Sequence, residues 1–285
     1  MYRRSPPPVR IGAYLLACAL LSVVWCALIW AGCRPGLDVW IRPDRYPLAA
    51  GLYLAGTYAV LVGGAWFCWR RLQGGTGREL GLIRGPFLGP LALGLGSLGG
   101  LFALEILAGV VEWHPVATPP AAVLATAASA LFFGASEELL FRGFIYRTLR
   151  RGWGVPASVL ASSTFYAGLH FLRLDLAWTQ VFTPFLGLTL AGALLSWAVE
   201  RTRSLAPAIG LHAAWVFLFL LTDGHHLIGY PPPTNWLTGG GYPLGGVSAL
   251  VLLLALWALL ARVLQPRAAS VASSLASASA NRSQA

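Results

Sequence analysis

An all-α membrane protein crossing the bilayer about eight times, with both termini in the cytoplasm, is the fold class this 285-residue sequence predicts. Three observations predict it. Apolar residues make up 57% of the chain and charged ones only 11%, where soluble domains average about 25% charged. A mean hydropathy of +0.67 leaves too little polar surface to coat a water-soluble globule. Uninterrupted apolar stretches also recur at about the 20-residue length that carries a helix across about 30 Å of hydrocarbon.

Taken in order, the spans read as Ile11–Gly32, Pro47–Trp69, Pro86–Val111, Pro120–Tyr146, Val155–Phe171, Leu176–Val199, Leu205–Leu221 and Pro243–Leu264. The net charge of +10 comes from 20 basic residues, all arginine. Arg3, Arg4 and Arg10 precede the first span, and Arg70, Arg71, Arg78 and Arg84 follow the second. Arg147, Arg150 and Arg151 follow the fourth, Arg201 and Arg203 the sixth, and Arg262 and Arg267 end the eighth. If the spans alternate, all of these share one side, which the positive-inside rule makes cytoplasmic. Arg34, Arg42, Arg45 and Arg173 fall opposite, three of them in a loop that also carries Asp38 and Asp44.

This placement explains the basic excess by topology, and no run of basic and aromatic residues suggests a nucleic-acid groove. Nucleic acid is therefore not an expected partner; the lipid bilayer is. Cys18, Cys26, Cys33 and Cys68 match no zinc or redox spacing and read as small apolar residues within or at the edge of the first two spans. Trp30-Ala31-Gly32-Cys33 departs from a lipoprotein cleavage box at its tryptophan, so the first span is read as retained. The loop Asp223–Tyr242, rich in glycine and proline, is expected to be irregular, and the Ser/Ala-rich tail 266–285 to be disordered.

Ionisable side chains inside a span cost about 2.5–3.5 kcal/mol each on insertion scales, so each one is a functional candidate. They are Glu105, Glu137, Glu138, Arg142, His170 and His212, and all but Glu105 lie between positions 137 and 212. Glu138 and Arg142 are i,i+4 neighbours with the acid N-terminal to the base, the order that favours pairing. Glu137 points about 100° round the helix, leaving it available as a general base. Tyr166 and His170 share one face of the fifth span, where Gly168 is expected to admit a neighbouring helix. His212 lies on the seventh span, and Glu105, on the third, is left outside the site.

Two histidines and a carboxylate pair from three spans support a metal site, a proton relay or water activated by Glu and His. The His-Glu-x-x-His pattern of zinc proteases is absent. No cofactor is expected; zinc is possible but not favoured, since it would need Glu137, His170 and His212 together within coordination distance.

The block from about Pro119 to Thr222 resembles the CAAX-protease and bacteriocin-processing (Abi) family of intramembrane glutamic endopeptidases. Glu137-Glu138-x-x-x-Arg142, followed by Gly143, matches its first signature in full. Tyr166-x-x-x-His170 matches the second with tyrosine in place of phenylalanine, and His212 the third, with Val216 where asparagine is usual. The resemblance implies that Glu137, with His170, activates a water against a scissile carbonyl. It implies that Glu138 and Arg142 orient the site and that His212 helps stabilise the oxyanion. Trp215 could offer an indole N–H in place of the missing asparagine, although it sits about 100° off that face.

The resulting organisation is a three-helix membrane region over 1–118, a protease-like core over 119–222, an exterior loop and last span over 223–265, and the tail over 266–285. The expected activity is hydrolysis of a peptide bond in a membrane-anchored protein or peptide, in a bacterial inner membrane. A catalytically silent scaffold or immunity protein is the alternative that Val216 favours. A proton-coupled transporter is a further one, though no internal repeat of the transporter kind is present.

Overall fold

The computed structural model describes residues 5–34, 45–171, 178–231, 236–239 and 244–264. The loop with Asp38 and Asp44, Arg173 and the Ser/Ala tail lie outside them. Among the described residues the chain forms α1 (Pro7–Cys33), α2 (Pro47–Phe67), α3 (Leu88–Leu107), α4 (Pro120–Glu138) and α5 (Tyr146–Trp153). It continues as α6 (Val155–Leu169), α7 (Trp178–Thr202), α8 (Ala206–Gly224) and α9 (Val247–Val263). Prolines open α1, α2, α4, α6 and α8. In the first turn their missing N–H costs nothing, and their fixed φ already suits a helix.

Among the described residues six stretches are long and apolar enough to cross a membrane: Pro7–Cys33, Pro47–Leu72, Leu88–Leu107, Pro120–Trp153, Val181–Thr202 and Ala206–Gly224. The helices at the fifth and eighth expected spans, α6 with 15 residues and α9 with 17, are shorter than the about 20 that cross unaided.

The span read from Pro120 to Tyr146 is not α-helical throughout. A π-helical stretch, Leu139–Ile145, begins directly after Glu138 and leads into α5. The Tyr146 N–H reaches the Phe141 carbonyl, five residues back. All six residues from Leu140 to Ile145 are buried, because neighbours close on the stretch from several sides. Phe144 meets Tyr14 of α1 with ring centroids 4.7 Å apart, and Phe141 meets Tyr166 of α6 at 5.0 Å. Tertiary packing, which period alone does not reveal, sets the looser winding. A second π-helical stretch, Cys68–Leu72, ends α2.

The centre of the molecule is α8, which packs between α3 and α4, while α6 lies along α7 and α1 along α2. Glycines on these helices, among them Gly94, Gly134 and Gly210, make the α8 contacts possible. A Cβ on Gly94 would come within 2.6 Å of the Ala214 Cβ, and one on Gly134 within 3.1 Å of the Ala213 Cα. Gly168 does not play the part expected of it: a Cβ there would meet nothing within 4 Å. Its residue lines an open apolar groove with Leu160, Thr164 and Phe185, because α6 meets α7 through Ser163 and Gly192 instead.

The loops after α3 and α8 are joined by a short antiparallel ladder of β1 (Glu112–Trp113) with β2 (Ile228–Gly229), in register Glu112 to Gly229. The second loop is therefore partly ordered where irregular chain was expected.

Candidate active site

The last turn of α4 places two adjacent carboxylates in different surroundings. Glu138 is fully buried. Its Oε1 accepts hydrogen bonds from Arg142 Nη1 at 2.6 Å and from His212 Nδ1 at 2.7 Å. The i,i+4 spacing supplies the arginine, and the close seat of α8 against α4 supplies the histidine. A carboxylate only accepts, so the Nδ1 proton belongs to His212, and in the neutral ring Nε2 carries the lone pair. The Tyr166 hydroxyl faces that nitrogen at 3.2 Å and donates to it. The Arg142 guanidinium also lies over the Tyr166 ring, 4.6 Å from its centroid. Behind this cluster, Glu138 Oε2, Arg142 Nη2 and Ser163 Oγ are buried without hydrogen-bond partners among the described residues.

Glu137 is turned away from Arg142, as the helix period requires. Its side chain keeps 19% of its surface exposed. The Tyr58 hydroxyl of α2 donates to its Oε1 at 2.9 Å, and its Oε2 stands 3.7 Å from His212 Nε2. Glu137, Tyr166, His170 and His212 share the wall of a cavity of about 210 Å³. The rest of the wall is apolar, with Leu98, Phe133, Leu188, Leu195 and Val216 among its residues. A polar corner in a cavity of this size has room for a few water molecules.

His170 closes α6 at the cavity edge. Its Nδ1 donates to the Tyr166 carbonyl at 2.9 Å, which leaves Nε2 as an acceptor in the neutral ring. No hydrogen bond or ion pair among the described residues joins Glu137 to His170; they meet across the cavity they share.

The five residues singled out in the sequence thus occupy one neighbourhood. Glu137, His170 and His212 line the cavity, and Glu138 with Arg142 lies behind it, bonded to His212 through Glu138. The sequence reading missed two partners. Tyr58 holds Glu137, and the only signal for it was a phenol inside an apolar span. The Tyr166 hydroxyl faces His212, where only an aromatic ring had been counted. The Trp215 indole N–H points to Ser97 of α3 at 3.4 Å, which engages the proton offered as a substitute for the asparagine. Val216 presents its methyls to the cavity wall.

Glu105 stands apart from this cavity. Its Oε1 lies 2.8 Å from the Ser248 hydroxyl at the start of α9. In the loop beyond α8, burial pushes the Tyr230 phenol above its ordinary range, and the Glu105 and Asp223 carboxylates add to the shift. Among the described residues no group of three His, Cys, Asp or Glu side chains is arranged to hold a metal ion.

Residues 119–218 match the family profile described as type II CAAX prenyl endopeptidase Rce1-like. The likeness is to the CAAX-protease and bacteriocin-processing family and spans about a third of the chain. The CAAX-protease match starts at the residue before α4 and ends within α8, so it takes in each of the five site residues. No curated protein and no solved structure matches the chain.

Proposed function

We propose that this CAAX-family protein is an intramembrane endopeptidase that hydrolyses a membrane-anchored protein or peptide with a water activated by Glu137 and His170. One observation carries the reading: a partly open carboxylate and a histidine whose Nδ1 is held by a backbone carbonyl share one cavity in an otherwise apolar bundle. A water held between them loses its proton to Glu137 as its oxygen attacks the scissile carbonyl, and His170 Nε2 orients it as a second acceptor. Glu137 then returns the proton to the leaving amine. The Tyr58 hydroxyl fixes the carboxylate in position.

Glu138 and Arg142 act through His212: the carboxylate holds the imidazole tautomer and the guanidinium neutralises the carboxylate. Tyr166 takes over the donor work that asparagine does elsewhere in the family. Its O–H bonds His212 at rest and turns to the oxyanion as negative charge develops there.

The apolar walls suit a substrate that arrives within the bilayer. We take the chain to cross an inner membrane with both termini cytoplasmic, α6 and α9 serving as its two short spans. Proteoliposomes holding the purified chain, offered a prenylated CAAX peptide and an unlipidated membrane-tail peptide, give the test. Wild type cleaves at least one of them, and Glu137→Gln and His170→Ala cleave neither. Equal cleavage by wild type and either variant sinks the reading. Val216 favours one second reading, a silent family member that binds such tails without cutting them. In that case the same peptides bind wild type and Glu137→Gln alike, and both remain intact.

A further inference from the structure

A second, larger cavity, about 770 Å³, opens at the end of the bundle where α5 and α7 meet the linker between α2 and α3. Arg78, Arg84, Arg147, Arg150, Arg151 and Arg203 line it, with Trp69 and Glu79. Six guanidiniums around one opening repel each other unless anions intervene, and the chain supplies few. Arg150 and Arg203 share Glu200, at 3.6 and 3.3 Å. Arg151 reaches Glu79 at 3.7 Å and lies over the Trp69 ring. Arg78, Arg84 and Arg147 make no ion pair within 4 Å among the described residues, and Arg147 feels Glu200 only at longer range, so six cations face two carboxylates.

The clearest sign is at Arg147. Its Nε and Nη2, with Nε of Arg150, are shut off from solvent without a hydrogen-bond partner among the described residues. Buried, unanswered N–H groups on a charged side chain cost several times what an exposed one does. Yet the sequence concentrates them here, from three stretches far apart in the chain.

We propose that this cavity binds a phosphate group, carried by an anionic lipid headgroup or by a free phosphate anion. Guanidinium forks from several directions match the tetrahedral oxygens, and each N–H pair takes two of them side by side. The location favours such a ligand too. The arginines stand roughly 12 Å along the chain axis from Glu138, at the helix ends where lipid phosphates lie, with a tryptophan beside them. The site is separate from the Glu137 cavity, so its occupancy is read without any peptide cleavage.

The experiment is native mass spectrometry of the full chain released from a neutral detergent, titrated separately with phosphatidylglycerol, phosphatidylcholine, inorganic phosphate and citrate. Saturable binding of one phosphatidylglycerol, or of phosphate, in preference to phosphatidylcholine and citrate is the expected result. Phosphate that displaces phosphatidylglycerol identifies the headgroup as what is recognised. Binding of phosphatidylglycerol without phosphate assigns a lipid source, and the reverse assigns a free anion. The double variant Arg84→Gln/Arg147→Gln weakens the interaction by about tenfold or more, whereas Arg262→Gln, on the exposed face of α9, leaves it unchanged. Should the double variant not fold, the wild-type series decides alone. No saturable adduct, equal retention of phosphatidylcholine, equal binding of citrate, or a double variant that binds like wild type overturns the proposal.

Discussion

The two cavities of this molecule handle charge in opposite ways. Around Glu138, a carboxylate, a guanidinium and an imidazole neutralise one another within hydrogen-bond reach, while Glu137 and His170 keep part of their surface open. Around Arg147, six arginines gather against two glutamates, and some of their N–H groups go unanswered among the described residues. The first arrangement lies within the apolar bundle, where an uncompensated ion is expensive, and close helix packing brings its partners together. The second lies at the helix ends, where water and anions can enter. Depth along the bundle therefore decides whether a charged cluster is closed on itself or left open for a ligand.

Variants that exchange these roles test the contrast. Glu137→Gln keeps the shape and removes the base, so cleavage falls by about 10²–10⁴ while thermal unfolding in detergent stays where it was; a matching loss of stability makes Glu137 structural. Glu138→Ala does the opposite. It leaves Arg142 and His212 buried without their acceptor and costs about 3–5 kcal/mol of stability, measured by denaturant titration in bicelles. Tyr166→Phe lowers the turnover rate by about 10² if its hydroxyl serves the oxyanion, and adding Val216→Asn recovers part of the loss. No recovery returns that hydroxyl to a purely structural bond with His212. Gly94→Ala, which drives a methyl into Ala214, destabilises by about 1–3 kcal/mol. Gly168→Ala, facing open space, shifts the same unfolding midpoint by no more than about 0.5 kcal/mol.

Much of this was legible in the residues alone, wherever the controlling physics is local. Apolar length marked the long helices though not the short polar α5, and i,i+4 spacing paired Glu138 with Arg142 and turned Glu137 away. What was not legible depends on neighbours distant in sequence. That His212 meets Glu138 through Nδ1 became visible only once α8, seated against Gly134, brought the two together. Gly168 carried the composition of a packing site on a face that has no partner. Tyr58 showed nothing, because a phenol in an apolar span differs from a packing ring only by what its oxygen meets. The arginines pointed to one side of the membrane, but not to a shared cavity fed from three connections.

The π-helical stretch from Leu139 to Ile145 lies between those two clusters on one continuous rod. Each residue wound this way advances the rotation less than an α residue does, so the rod accumulates a phase lag between Glu138 and Arg147. That lag sets the heading from which Arg147, Arg150 and Arg151 reach the cavity wall. Side chains here can be exchanged for others of like size. Deleting or inserting a single residue would rotate the whole arginine row by about 100° relative to Glu137 and Glu138, a change that no like-sized substitution makes.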